Sequence, residues 1–152
     1  PHMTVTMEKE HLTEDLLKRL LASSSVESYL DTHETVNTTL TEFLRELIDA
    51  RRLKRSEVAR ESGINSTVVY DIFAGKSRPG RDHAIMIALG IGCTLDETQR
   101  LLRLDGVAEL WVKNRRDAII IWCIKQGLSR AATDDELYQL GEKTLLGTNP
   151  LR

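Results

Sequence analysis

A chain of 152 residues with 41% apolar and 29% charged side chains is long enough to bury a core of its own. Two cysteines, Cys93 and Cys123, give neither a disulfide framework nor a metal-ligand set, and aromatics at 5% leave the packing to aliphatic side chains. The net charge of −2 excludes a protein that coats nucleic acid through bulk charge, but it hides a division. Residues 1–44 carry 3 basic and 8 acidic side chains, residues 45–81 carry 9 and 5, and residues 82–152 carry 9 and 10. The basic middle third between acidic flanks is the asymmetry to follow. The longest apolar run, 118–124, is too short to cross a bilayer. With no secretory leader in view, the expected setting is the cytoplasm and no membrane partner is expected.

Apolar residues recur at helical spacing almost everywhere, so the expected class is all-α. The spacing predicts a first helix over 13–21, capped by Thr13 and striped with Leu16, Leu17, Leu20 and Leu21, which must be buried against something. Ser25 can cap a second short helix carrying Val26, Tyr29 and Leu30, and the polar stretch 32–39 reads as a linker. Leu40, Phe43, Leu44, Leu47 and Ile48 form one continuous face of the next helix. Two short helices follow over 55–61 and 66–74, joined by Ser62-Gly63-Ile64-Asn65, with Gly75 as a stop. A helix fits 82–89, and Thr94-Leu-Asp-Glu97 has the form of a capping box opening another to about 104. Helices over 115–126 and 131–140 complete the chain, with Gly127 and Gly141 as stops. Arg81-Asp82-x-Ala84-Ile85 is faintly echoed by Arg116-Asp117-x-Ile119-Ile120; one match is explained as well by coincidence as by a duplicated helix pair.

The segment 55–75 supplies what a helix-turn-helix needs. Ala59 is the small residue of the first helix, Gly63 makes the turn, and Val58, Ile64, Val69 and Ile72 anchor the second helix, which Asn65 caps. With the ending Ile72-Phe73-Ala74-Gly75-Lys76 and the loop Ser77-Arg78-Pro79, residues 40–102 resemble the Cro and phage-repressor class, also called the xenobiotic-response-element class. The resemblance implies a five-helix, lambda-repressor-like domain. Here it would span 39–104, preceded by an acidic helical segment and linker over 1–38 and followed by a C-terminal helical extension over 105–152.

It further implies a DNA-binding transcription regulator whose helix 66–74 enters the major groove. Carried over by position, the base readers are Asn65, Ser66, Thr67, Tyr70 and Asp71. This set departs from the Gln, Arg and Asn common in the class: hydroxyls bond bases less selectively, and Asp71 accepts only from a cytosine amino group. Phosphate contacts fall to Arg55, Lys76, Arg78 and Arg81, with Arg51, Arg52 and Lys54 adding to the field. One such motif buries little surface, so double-stranded DNA is expected to be bound by a homodimer. Its interface would come from the C-terminal helices (Leu110, Trp111, Ile120, Ile121, Ile124, Leu137, Leu140) or the N-terminal helix. The competing reading is a protein-interaction adaptor that keeps the fold and has lost DNA reading, meeting a protein partner through those same helices.

Trp111 and Trp122 are read as core rather than as a ligand pocket, and the cysteines as buried apolar thiols. His11, His33 and His83 lie apart from other ligand types, so no metal is proposed. The sequence contains no phosphate loop, nucleophile elbow or zincin motif, and its acidic pairs sit at helix N-termini, where the macrodipole accounts for them. Neither an enzyme nor a cofactor is expected.

Overall fold

The computed structural model describes residues 14–32 and 36–150, and among these the regular structure is helical, with no strand. The chain divides into two compact units, one ending at Thr35 and one beginning at Val36. In the first, α1 covers 14–22 and α2 covers Val26–Thr32. Ser25 caps α2 as its position predicts, its hydroxyl accepting from the Ser28 N–H at 3.1 Å. Thr13, the expected cap of α1, lies outside the described residues. The expected burial of the leucine stripe does not occur: Leu16, Leu17, Leu20 and Leu21 are all exposed, Leu21 by 76%.

The second unit holds α3 (Val36–Ala50), α4 (Arg55–Ser62), α5 (Ser66–Phe73), α6 (Arg81–Ile91), α7 (Leu95–Asp105), α8 (Arg115–Lys125) and α9 (Arg130–Gln139). α3 starts inside the stretch read as linker. Once the stripe from Leu40 to Ile48 is buried, extending the helix backward costs little per residue, even through Asn and Thr. The expected core positions Leu40, Phe43, Leu44, Leu47, Val58, Ile64, Val69, Ile72, Ile85 and Leu89 all fall in one buried cluster. α6 is the central helix. Its residues 84–89 are buried on every side, and a Cβ on Gly90 would stand 2.9 Å from the Ser62 backbone nitrogen, so α4 and α6 cross where neither carries bulk.

The faint echo between α6 and α8 is a repeated set of contacts. Arg81 donates from Nε to the Ala108 carbonyl, 27 residues on, and Arg116 donates from Nε to the Lys143 carbonyl, also 27 residues on. Each adds an Nη2 bond to the carbonyl one residue further, Glu109 or Thr144. Each then grips the other's neighbour: Arg81 is bidentate to Asp117 at 2.7 and 3.1 Å, and Arg116 is bidentate to Asp82 at 2.9 and 3.1 Å. Exchanging the two helices leaves this pattern unchanged, as across a two-fold axis. The likeness extends along both pairs. Gly92 and Gly127 end the first helices, Thr94 and Ser129 cap the second, Thr98 and Thr133 are buried, and Leu110 and Leu145 close each pair from inside. The extension therefore packs as a second α6–α7, and Ile120, Ile124, Leu137 and Leu145 join the common core.

The tryptophans correct the sequence reading. Trp111 is 61% and Trp122 55% exposed. Ile120, Cys123 and Ile124 define the inward face of α8, and Trp122 falls on the other side.

Candidate nucleic-acid interface

α4 and α5 meet at Gly63, whose φ of 78° is the left-handed turn that the motif requires and whose N–H returns to the Ala59 carbonyl at 3.1 Å. Asn65 caps α5 by accepting from the Thr67 N–H at 2.9 Å, a bond of about 1 kcal/mol in such positions. Val69, Ile72 and Phe73 fix the inner face of α5. With that face buried, Asn65, Ser66, Thr67 and Tyr70 stand exposed on the outer one, and Asp71 is half-buried at its edge. Val68 joins the outer row at 36% exposure. Sequence reasoning passed it over because it is apolar. The signal was its place one residue before the anchor Val69, a rotation of about 100° that turns it outward.

The nine basic side chains of residues 45–81 do not form one field. Arg55 is exposed at the start of α4, and its guanidinium lies over the Tyr70 ring, 5.2 Å from the centroid, so the first residue of α4 and the outer face of α5 are tied together. Lys54 uses its backbone N–H on Glu57 at 3.0 Å and keeps an exposed side chain. Lys76 is exposed in the turn after α5. Arg78 is partly exposed and donates to the Asp105 carbonyl.

Two other arginines are spent inside the fold. Arg51 holds Glu97 at 2.6 Å, and Glu97 also caps α7 by accepting from the Thr94 N–H at 2.9 Å. Burial pushes the Glu97 carboxyl up, but the Thr94 and Arg51 bonds outweigh it and hold the carboxyl below its ordinary value. Arg81, expected at the DNA, has its donors on Asp117, Ala108 and Glu109 and its side chain 27% exposed. Its bidentate partner was out of view in the sequence because Asp117 lies in the extension.

Among the described residues no group of His, Cys, Asp and Glu could hold a metal, and no helix is long and apolar enough to cross a membrane. Burial pushes the Cys93 thiol up to about 12 and raises that of Cys123, so both stay protonated and inert.

A helix-turn-helix family model matches residues 44–98, the segment from the middle of α3 into α7. This segment is a helix-turn-helix domain of the Cro and phage-repressor class. No curated protein and no solved structure matches the chain. The Cro-class domain supports a DNA-binding helix-turn-helix regulator, and the all-helical structure of the described residues is consistent with a lambda-repressor-like fold. The arginines of this domain are partitioned. Arg55 and Arg78 reach the surface of the Cro-class motif, while Arg51 and Arg81 tie the motif to α7 and α8.

Proposed function

We propose that this chain is a transcription regulator that lays α5 in the major groove and binds as a homodimer. The observation that carries this reading is the exposed row Asn65, Ser66, Thr67, Val68 and Tyr70 on a helix whose other face is fixed in the core, with Arg55 stacked on Tyr70 beside it. Arg55, Lys76 and Arg78 supply the phosphate contacts; Arg81 acts from behind, setting the start of α6 and so the end of the loop that carries Lys76 and Arg78. Sequence selectivity is modest, since hydroxyls and a valine distinguish bases less sharply than bidentate side chains do. The interface of the dimer draws on the exposed Trp111, Trp122 and Leu140, because Ile120, Ile124 and Leu137 are used within the chain.

Titrating the purified protein into fluorescent random-sequence duplex over a salt series tests the reading. Binding that weakens steeply with salt supports it. A protein that stays unbound at low salt supports the adaptor reading instead. Light scattering at micromolar concentration tests the dimer, and a mass near 17.2 kDa rather than twice that would remove it.

A further inference from the structure

The Asp105 side chain is fully buried, and neither carboxylate oxygen has a hydrogen-bond partner among the described residues. A buried carboxylate in that condition is costly. The charged group that acts on it is Arg78, whose Nε stands 3.8 Å from Oδ1 while Nη2 donates to the Asp105 backbone carbonyl. Gly106 leaves the room for this: a Cβ there would stand 2.9 Å from Arg78 Nη2. The other charges near this end of α7 are already paired, Arg103 with Glu109 at 3.0 Å and Arg81 with Asp117 at 2.7 Å. Arg78 itself lies on the loop that leaves the recognition helix, and its side chain is 45% exposed.

We infer that Asp105 is a positioning residue which holds Arg78 back from DNA, so that DNA binding draws Arg78 onto a phosphate and a proton onto Asp105. This rests on the reading of α5 as a DNA-binding helix. Without DNA, burial pushes the Asp105 carboxyl up to about 6 against the opposing pull of Arg78. When Arg78 turns to a phosphate that pull is lost and the carboxyl rises further. The bound state then holds the proton more tightly than the free one, and affinity falls as pH rises through and above 6. Each unit by which binding raises the carboxyl costs the ionised form about tenfold in affinity.

The test measures the dissociation constant for random-sequence duplex at fixed low salt, from pH 5.5 to 8.5, with the full chain, Asp105→Asn and Arg78→Ala. The wild type is expected to lose at least about threefold more affinity across this range than either variant. Asp105→Asn, which removes the negative charge facing Arg78 and keeps only the backbone carbonyl bond, is expected to bind more tightly than wild type at pH 8. A residue with only a structural role would weaken binding at every pH and leave the slope alone. Carboxyl-carbon NMR of the wild type provides a measure independent of the variants: the Asp105 midpoint is expected to move upward when duplex is added. Binding with equal slopes, or an Asp105 midpoint that DNA does not move, overturns this inference alone. No binding at pH 5.5 overturns the DNA reading and this inference with it.

Discussion

Arg116 reproduces on α8 the contacts that Arg81 makes on α6, with the same Nε donating to the same relative carbonyl and the same bidentate hold on the other's aspartate. Such a reciprocal pattern is what a dimer of identical parts displays, and here both parts belong to one chain.

Replacing Arg81 by alanine therefore tests stability before it tests DNA. Asp117 is 4% exposed and would be left without its guanidinium, a loss of about 3 kcal/mol for a buried pair broken on one side. Denaturant melts should show this loss for Arg81→Ala. The DNA salt slope of the folded fraction should remain that of the parent. A slope flattened by one unit with unchanged stability would place Arg81 on a phosphate instead.

Arg55→Ala and Lys76→Ala should behave in the opposite way. Each is expected to weaken binding about equally for all duplexes and to reduce the salt slope by about one unit, with little change in melting. Changes at Ser66, Thr67 or Val68 should instead shift preference among sequences. Selection of bound duplexes from a random pool distinguishes the two outcomes.

The ending of α3 carries a strained residue. Arg52 has a φ of 54°, in the left-handed region where an L side chain costs about 1 kcal/mol. Arg52→Gly should raise stability by about 0.5 kcal/mol, after the added freedom of the unfolded chain is deducted. Arg52→Ala, which keeps the strain and removes the same charge, should not. Equal melting of the two variants would show that the backbone at this position is not strained.

Asp105 also makes a pH signature in stability. Its carboxyl rises from 3.8 to about 6 on folding, so the folded state holds the proton more tightly. That contribution is complete below the unfolded value, declines as pH rises from about 4 to about 6, and is absent above. At pH 8 Asp105→Asn should therefore be more stable than wild type, by about 1 to 3 kcal/mol. At pH 4 the difference should nearly vanish. A variant less stable than wild type at pH 8 would contradict the cost of burying this carboxylate without a hydrogen-bond partner.

The motif was legible because its physics is local. Ala59, Gly63, Asn65 and the anchors Val69 and Ile72 declare themselves by spacing, and each is found in its expected place. What the sequence hid was long-range. The partner of Arg81 lies in a segment outside the motif, and an arginine that will reach DNA looks the same as one that will hold an aspartate. Trp122 misled because a large aromatic residue suggests a core, while the helical phase set by Ile120 and Ile124 pointed it outward. Val68 was overlooked for the converse reason, an apolar residue on a face expected to be polar. The start of α3 was missed because Thr and Asn are poor helix formers, and the burial that overrides them begins only at Leu40.

The guanidinium of Arg130, held by Asp134 at 2.7 Å, lies against the turn between α4 and α5, its atoms 3.1 to 3.2 Å from where a Cβ on Gly63 would stand. The turn thus answers to the far end of the chain as well as to its own backbone. This makes the recognition hairpin a poor cassette. A graft bringing asparagine into the turn would satisfy the dihedral angle and still have to displace a guanidinium from its carboxylate. On the outer row of α5, Ser66, Thr67 and Val68 are exposed and carry no such constraint, while Tyr70 is tied to Arg55 through its ring. Redesign of binding preference has one helix face to work with, and natural divergence has the same freedom there, while the shape of the bend is locked from behind.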